Sequence, residues 1–280
     1  MDSYTRGNLR FDVTDSGPAD VADDSIVVLL HGFPQNRHEW TQVAARLNHA
    51  GLRTLAPDQR GYSPGARPQG RRAYVQSELV EDVVALLDAV GAQRVHLVGH
   101  DWGAVVAWAF ASRYPQRLHT LTAISVPHPK AMGWAMARGQ ILKSWYVGLF
   151  QIPRLPEAVL PSRRVRALLG GTGLTPEQVA GYLEPLGKDG LTAALNWYRA
   201  LPISSREKGY AHRTTVPTTY IWSDGDVALG RAGAEATQRF VTAPYRFEVL
   251  QGYSHWLADE APDEVAAAIV QRVRDREPTT

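Results

Sequence analysis

Short runs of β-branched and leucine residues recur along this chain, and most are separated from the next by a helical pattern. That alternation restricts the fold more than any other feature. Ile26–Leu30 is a continuous apolar run, as a strand covered on both faces requires. Arg53–Ala56, Val95–Val98, Leu121–Ile124, Thr218–Trp222 and Tyr245–Leu250 share its character. Earlier, Leu9, Phe11 and Val13 alternate with polar residues and end at Asp15-Ser16-Gly17-Pro18, which reads as a strand and a turn. Between the runs, Ser77–Val90 reads as a helix with Ser77 as N-cap, Val80, Val83, Val84 and Leu87 on one face, and Gly91 at its stop. Trp102–Tyr114 is apolar almost all round and ends before Pro115, the mark of a buried helix. Strands alternating with helices in this way predict a mostly parallel sheet with helices on both faces.

One stretch breaks the pattern. From about His128 to about His212 no convincing strand occurs, and prolines recur at positions 129, 153, 156, 161, 176, 185 and 202. Thr175-Pro176-Glu177-Gln178 is a capping box with proline at the first helical position, opening a helix towards Leu183. Leu191–Leu201 reads as another helix. The expectation is an all-helical lid, residues 128–211, inserted into a core made of residues 1–127 and 212–280. No internal repeat is visible, and only Glu277-Pro-Thr-Thr looks frayed.

Composition removes several function classes. Of 280 residues, 44% are hydrophobic and 21% charged, which supplies a full core and excludes wholesale disorder. Thirty Lys and Arg face 28 Asp and Glu, scattered except for pairs such as Arg71-Arg72 and Arg163-Arg164, so no nucleic-acid stripe is implied. There is no cysteine, which removes disulfides, thiolate catalysis and Cys-ligated metals and sits easily with a reducing cytoplasm. The longest apolar run, Ala104–Ala111, falls far short of the roughly 20 residues that cross a bilayer. No apolar signal segment is visible at the N-terminus. The chain reads as soluble and cytoplasmic, with no membrane partner. Its oligomeric state is not legible, and a homodimer stays open.

The strongest chemical signal is Val95-His-Leu-Val-Gly99-His100-Asp101-Trp102-Gly103, a strand running straight into a helix through small-x-acid-x-small. This is the pattern of a nucleophile elbow, where small residues permit a sharp turn that lifts the central side chain out of the sheet. Serine is the usual occupant. An aspartate there is already ionised at neutral pH and can attack a saturated carbon to form an alkyl ester. The plainer alternative is an ordinary capping aspartate on a buried helix. A second signal is Ile26–Leu30 followed by His31-Gly32-Phe33-Pro34, at the carboxyl end of a strand, where ligands bind in open α/β sheets. The N–H groups of Phe33 and Trp102 are candidates for an oxyanion hole, and a cis Phe33–Pro34 bond would fit the tight turn. The third is placed late. Asp224-Gly225-Asp226 follows Tyr220–Ser223, and His255 follows the last strand, so a histidine able to activate water has a carboxylate to orient it.

With these motifs in place, the chain resembles the α/β-hydrolase fold, and within it the epoxide hydrolase and haloalkane dehalogenase branch. The likeness runs through His31-Gly-Phe-Pro, Pro57-Asp-Gln-Arg-Gly61-Tyr, Gly-His-Asp101-Trp-Gly, Ser125-Val-Pro-His-Pro, Ser254-His255-Trp-Leu and Glu260-Ala-Pro. It implies Asp101 as nucleophile, His255 as base and Asp226 as the acid that orients it. Asp224, two residues before it, competes for that last role; the spacing resembles the family's Gly-x-x-Asp with Ser223 in the glycine position, which favours Asp226.

The two activities of this branch ask for different groups. Halide displacement calls for N–H donors, and dehalogenases of this fold commonly supply the tryptophan after the nucleophile plus an asparagine after His-Gly or a lid tryptophan. Trp102 is present, but position 33 is Phe. The arginines that would hold a fluoroacetate are replaced by Trp102, Val105 and Val106. Epoxide opening calls instead for O–H donors to the developing alkoxide. Two lid segments resemble those carrying the epoxide hydrolase tyrosines: Lys143-Ser-Trp-Tyr146 with Phe150-Gln151-x-Pro153, and Leu195-Asn196-Trp197-Tyr198-Arg199. Tyr146 and Tyr198 are therefore the expected acids, though tyrosine in a helix is more often a core residue. Phe33, Trp102, Trp145, Phe150 and Trp197 are expected to wall an apolar cavity, with His128 left open. The function expected is hydrolysis of a small hydrophobic epoxide by water, with no cofactor and no metal, since the nine histidines show no paired ligand spacing. Haloalkane dehalogenation through Trp145 and Trp197 N–H groups is the alternative, and a non-catalytic ligand receptor on the same fold is a third reading.

Overall fold

The computed structural model describes residues 1–275, and the Glu277-Pro-Thr-Thr tail lies outside the described residues. Among these, eight strands form one sheet: β1 (Ser3–Arg6), β2 (Leu9–Ser16), β3 (Ile26–Leu30), β4 (Arg53–Pro57), β5 (Val95–His100), β6 (Leu118–Ile124), β7 (Thr218–Ser223) and β8 (Tyr245–Leu250). Their order across the sheet is β1-β2-β4-β3-β5-β6-β7-β8. The pairs β1–β2 and β2–β4 are antiparallel, and every pair from β4 to β8 is parallel. The mostly parallel sheet read from the alternation is therefore present, with each run at or within a residue or three of its expected bounds. Strand β1 was not legible, because its four residues carry one buried apolar side chain, Tyr4, which stacks on Phe11 at 4.7 Å.

The helices outside the break are α1 (Thr41–His49), α2 (Gln76–Ala89) and α3 (Trp102–Arg113). After β6 come α4 (Pro129–Ala135), α5 (Ile141–Lys143), α6 (Trp145–Phe150), α7 (Leu155–Val159), α8 (Arg163–Gly170), α9 (Pro176–Leu183) and α10 (Gly187–Ser204). The chain closes with α11 (Arg231–Ala236), α12 (Leu257–Glu260) and α13 (Pro262–Arg274). No strand occurs among the described residues between Ile124 and Thr218, in keeping with the break in pattern. The capping box at Thr175 and Gln178 opens α9. Helix α2 differs from expectation at its start. Ser77 does not cap it; the Gln76 N–H donates to Ser204 Oγ, at the end of α10, and the Ser77 N–H to Glu207, just beyond it. The end of the helical insertion thus supplies the cap that sequence assigned locally.

The pleat divides the strands between two cores. Val28, Leu30, Leu97, Ala123 and Tyr220 face one layer with α2, α3 and the insertion's Leu191, Leu195 and Trp197. Val27, Leu29, Val98, Ile124 and Ile221 face the other, with Trp40, α1 and α13. Helix α3 lies against the sheet almost without a wet face, as its unbroken apolar composition requires. No helix among the described residues is long and apolar enough to cross a membrane.

Candidate active site

The β5–α3 junction places Asp101 at φ 49° and ψ −117°, a positive φ outside the left-handed helical region that any residue with a Cβ adopts at a cost. Two glycines make the turn possible. A Cβ on Gly99 would lie 2.2 Å from the Gly103 carbonyl oxygen, and one on Gly103 would lie 2.0 Å from that of Leu30. Asp101 occupies the N-cap position of α3, yet its carboxylate makes no capping hydrogen bond. It turns instead towards the loop after β3, where the Phe33 N–H donates to Asp101 Oδ1 at 2.9 Å. A cap would have bonded the first turn of its own helix, so the capping alternative does not describe this residue.

His255 reaches the same point from the loop after β8. Its Nε2 lies 3.5 Å from Asp101 Oδ2, and its Nδ1 lies 2.8 Å from Asp226 Oδ2. Asp226 Oδ1 accepts the N–H groups of Ala228 and Leu229 at 2.7 and 2.8 Å, which fixes that carboxylate in the turn after β7. Asp224, the competing acid, is exposed and accepts the Gly252 N–H at the β8 turn. Burial alone would push the His255 imidazole down. The carboxylates of Asp226 and Asp101 outweigh it and hold the ring up at about 10. Burial likewise works to raise Asp101, but its contacts with His255 and the Phe33 N–H hold it below the usual carboxylate range.

Aromatic rings close over this carboxylate. Tyr198 of α10 packs edge-on against Trp102 at 4.9 Å, Phe150 at 4.8 Å and Phe33 at 5.4 Å, and Tyr146 of α6 stands 6.3 Å from Tyr198. The two helices are tied by Gln151 Nε2 donating to the Tyr198 carbonyl and Arg199 Nε donating to that of Phe150. Burial first, then the charge of Asp101, pushes both phenols above their ordinary value, so both stay protonated and able to donate.

Two expected wall residues stand differently. Trp145 is 66% exposed, because it begins α6 on the face opposite the buried Phe150. Trp197 is buried and packs on Trp102 at 5.5 Å, but its indole N–H donates to the Arg60 carbonyl at 2.8 Å. His128 caps α4 and bonds the His212 carbonyl, outside the ring cluster. The Phe33–Pro34 peptide is cis.

Three supporting residues carried no distinct signal. Gln59 donates its backbone N–H to His31 Nε2 and its side chain to the His31 carbonyl. That leaves His31 Nδ1 to donate to the Gly32 carbonyl and sets the Phe33 loop. His100, lowered to about 4 by burial and the neighbouring His255 charge, is neutral and donates Nε2–H to the His255 carbonyl at 2.9 Å. Its Nδ1 faces Glu39 Oε1 at 3.3 Å, and burial raises that carboxyl well above its ordinary value. Gln59 and His100 lie in quoted motifs that gave them no role; Glu39 is visible only once the fold buries it.

Comparison with known proteins follows the same lines. A family model described as alpha/beta hydrolase fold matches residues 25–262. The chain is 36% identical to the AB hydrolase superfamily protein YfhM of Bacillus subtilis, covering 91% of this chain and 92% of that one. It is 31% identical to epoxide hydrolase A of Mycobacterium tuberculosis, covering 88% and 89%. The crystal structure of epoxide hydrolase A from Mycobacterium thermoresistibile superposes with a TM-score of 0.86 at 28% identity, over 98% of each chain. The chain belongs to the α/β-hydrolase fold family, in the group that holds the epoxide hydrolases.

Proposed function

We propose that this chain hydrolyses epoxides to vicinal diols through a covalent ester on Asp101, with residues 128–211 as a lid over a core of residues 1–127 and 212–280. One observation carries the reading: the Asp101 carboxylate leaves its helix uncapped and lies between the Phe33 N–H and His255 Nε2. Relatives named as epoxide hydrolases support it.

Asp101 Oδ2 attacks an epoxide carbon as the C–O bond breaks, and the freed oxygen takes a proton from Tyr146 or Tyr198. Oδ1, already at the Phe33 N–H, becomes the ester carbonyl. Esterification removes one of the two charges that hold His255 protonated, so the imidazole gives its proton to the tyrosinate and becomes a base. It then takes a proton from water, whose oxygen attacks the ester carbonyl carbon. The N–H groups of Phe33 and Trp102 stabilise the tetrahedral oxyanion, a contribution of about 3 kcal/mol per donor in comparable sites. Collapse returns the proton on the Asp101 carboxyl to the departing alkoxide, and the cycle ends with Asp101 ionised and His255 protonated, as at the start. Asp226 orients the ring throughout and stabilises the imidazolium whenever His255 carries the proton.

The dehalogenase alternative keeps Trp102 but lacks a free lid donor, because Trp145 is exposed and the Trp197 N–H is already bonded. The test is incubation with styrene oxide and, separately, a bromoalkane. Diol formation without bromide release is expected; bromide release without diol would overturn the reading.

A further inference from the structure

The loop that carries His255 runs directly into α12, whose Asp259 meets two other parts of the molecule. Asp259 Oδ1 accepts the Tyr182 hydroxyl at 2.6 Å and Gln178 Nε2 at 3.0 Å, both from α9 of the insertion. Its Oδ2 accepts Gln35 Nε2 at 2.6 Å, from the loop that presents the Phe33 N–H. No guanidinium or ammonium is among these partners, so the carboxylate is held by three neutral donors from two separate segments. Weaker contacts follow the same seam. Asn36 Nδ2 donates to the Gly181 carbonyl, and the Trp256 indole N–H donates to Thr172 Oγ1 at 3.0 Å. Gly173 is seated so closely that a Cβ there would lie 2.3 Å from Ser254 Oγ.

We infer that Asp259 is a positioning residue, a clamp that fixes the helical insertion, the Phe33 loop and the His255 loop in one mutual arrangement. It touches no reacting atom. Its effect passes through Gln35 to the oxyanion donor two residues away, and through α9 to α10, which carries Tyr198. Cutting the clamp loosens the insertion against both loops at once, leaving only the Asn36 and Trp256 hydrogen bonds of this seam, which weakens substrate capture more than chemistry. The carboxylate's role is to accept hydrogen bonds. An asparagine can accept from Tyr182 and Gln178 with its Oδ1, while the Gln35 amide, whose Oε1 is buried without a partner, turns to accept from the new Nδ2.

This inference rests on the epoxide hydrolase reading, so its test has one measurement that needs no substrate. With styrene oxide, Asp259→Ala is expected to raise KM about tenfold and lower kcat less than threefold, the size of loss that follows from removing hydrogen bonds to a charged group. Asp259→Asn should restore KM to within about twofold of the parent, on the same reasoning. Tyr182→Phe should add nothing in the Asp259→Ala background. Amide hydrogen exchange across residues 172–183 should accelerate in Asp259→Ala and not in Asp259→Asn. An unchanged KM in Asp259→Ala, or Asp259→Asn behaving like Asp259→Ala, would overturn the clamp. If the parent turns over no epoxide, the functional reading fails by itself. Equal exchange of residues 172–183 in parent and Asp259→Ala would then still reject the clamp.

Discussion

His255 and Asp101 come from opposite sides of β6, one from the loop after β8 and the other from the end of β5, and meet with Nε2 3.5 Å from Oδ2. The gap is longer than a normal hydrogen bond, and Nδ1 is already committed to Asp226 at 2.8 Å. In the proposed mechanism the two residues act in different steps: Asp101 forms the ester and His255 activates the water that hydrolyses it. His255→Gln should therefore take up one equivalent of epoxide and stop. Intact-protein mass spectrometry should show a single adduct on the peptide containing Asp101, with steady-state turnover down by at least about 10³-fold. Unmodified protein together with lost turnover would contradict the assigned order.

The proposed mechanism gives Tyr146 and Tyr198, from two helices, the same task of donating to the alkoxide. Replacing either by Phe should slow alkylation by about 10²-fold or more, since each supplies a proton or a hydrogen bond to the alkoxide. The double substitution should bring it near background. Rapid-quench measurement of ester formation checks this, and rates equal to the parent's in all three variants would remove the tyrosines from the mechanism.

The resting charge of His255 has a consequence for stability. An imidazole held up at about 10 in the folded chain, against roughly 6.5 when unfolded, contributes stability that is fully present below the unfolded value. That contribution declines as pH rises between the two and is gone above the folded one. Denaturation followed from pH 6 to pH 10 should show the parent losing stability, and Asp101→Asn losing less, because one of the two supporting charges is gone. Identical pH dependence in both would mean that Asp101 does not hold the proton on His255.

Arg60 matters to the site through its carbonyl, which holds Trp197, and its side chain is anchored by a bidentate pair with Asp82 at 2.7 Å for each bond. Both side chains are buried, with Arg6 also on Asp82 and Glu78 within 3.3 Å of Arg60. Asp82→Ala should cost about 3 kcal/mol in chemical denaturation, near the lower end for breaking a buried pair because Glu78 remains. A change below about 1 kcal/mol, the range of exposed pairs, would contradict the account.

Much of this was legible from residue order because the site is built where strands end. Gly99–Gly103 specifies the turn by sterics, and His31-Gly-Phe-Pro and the late Asp226 and His255 follow buried strands whose apolar runs mark their bounds. Burial direction was not legible. Trp145 and Tyr146 are neighbours in one short helix, and only the packing of α6 on α10 turns one outward and the other in. Nor were long-range partners: Ser77 looks like a cap until Ser204 and Glu207 arrive from the far end of the insertion. Gln35, Tyr182 and Asp259 carry no signal of their own until the fold brings the first two to the carboxylate of the third.

The central claim is that a side-chain oxygen of Asp101, and not water, forms the first bond to the epoxide. A single turnover in ¹⁸O-labelled water, with enzyme in excess over styrene oxide, tests it most directly. The account predicts an unlabelled first diol and label in the Asp101 carboxylate after digestion. Label in the first diol, with none in Asp101, would contradict it.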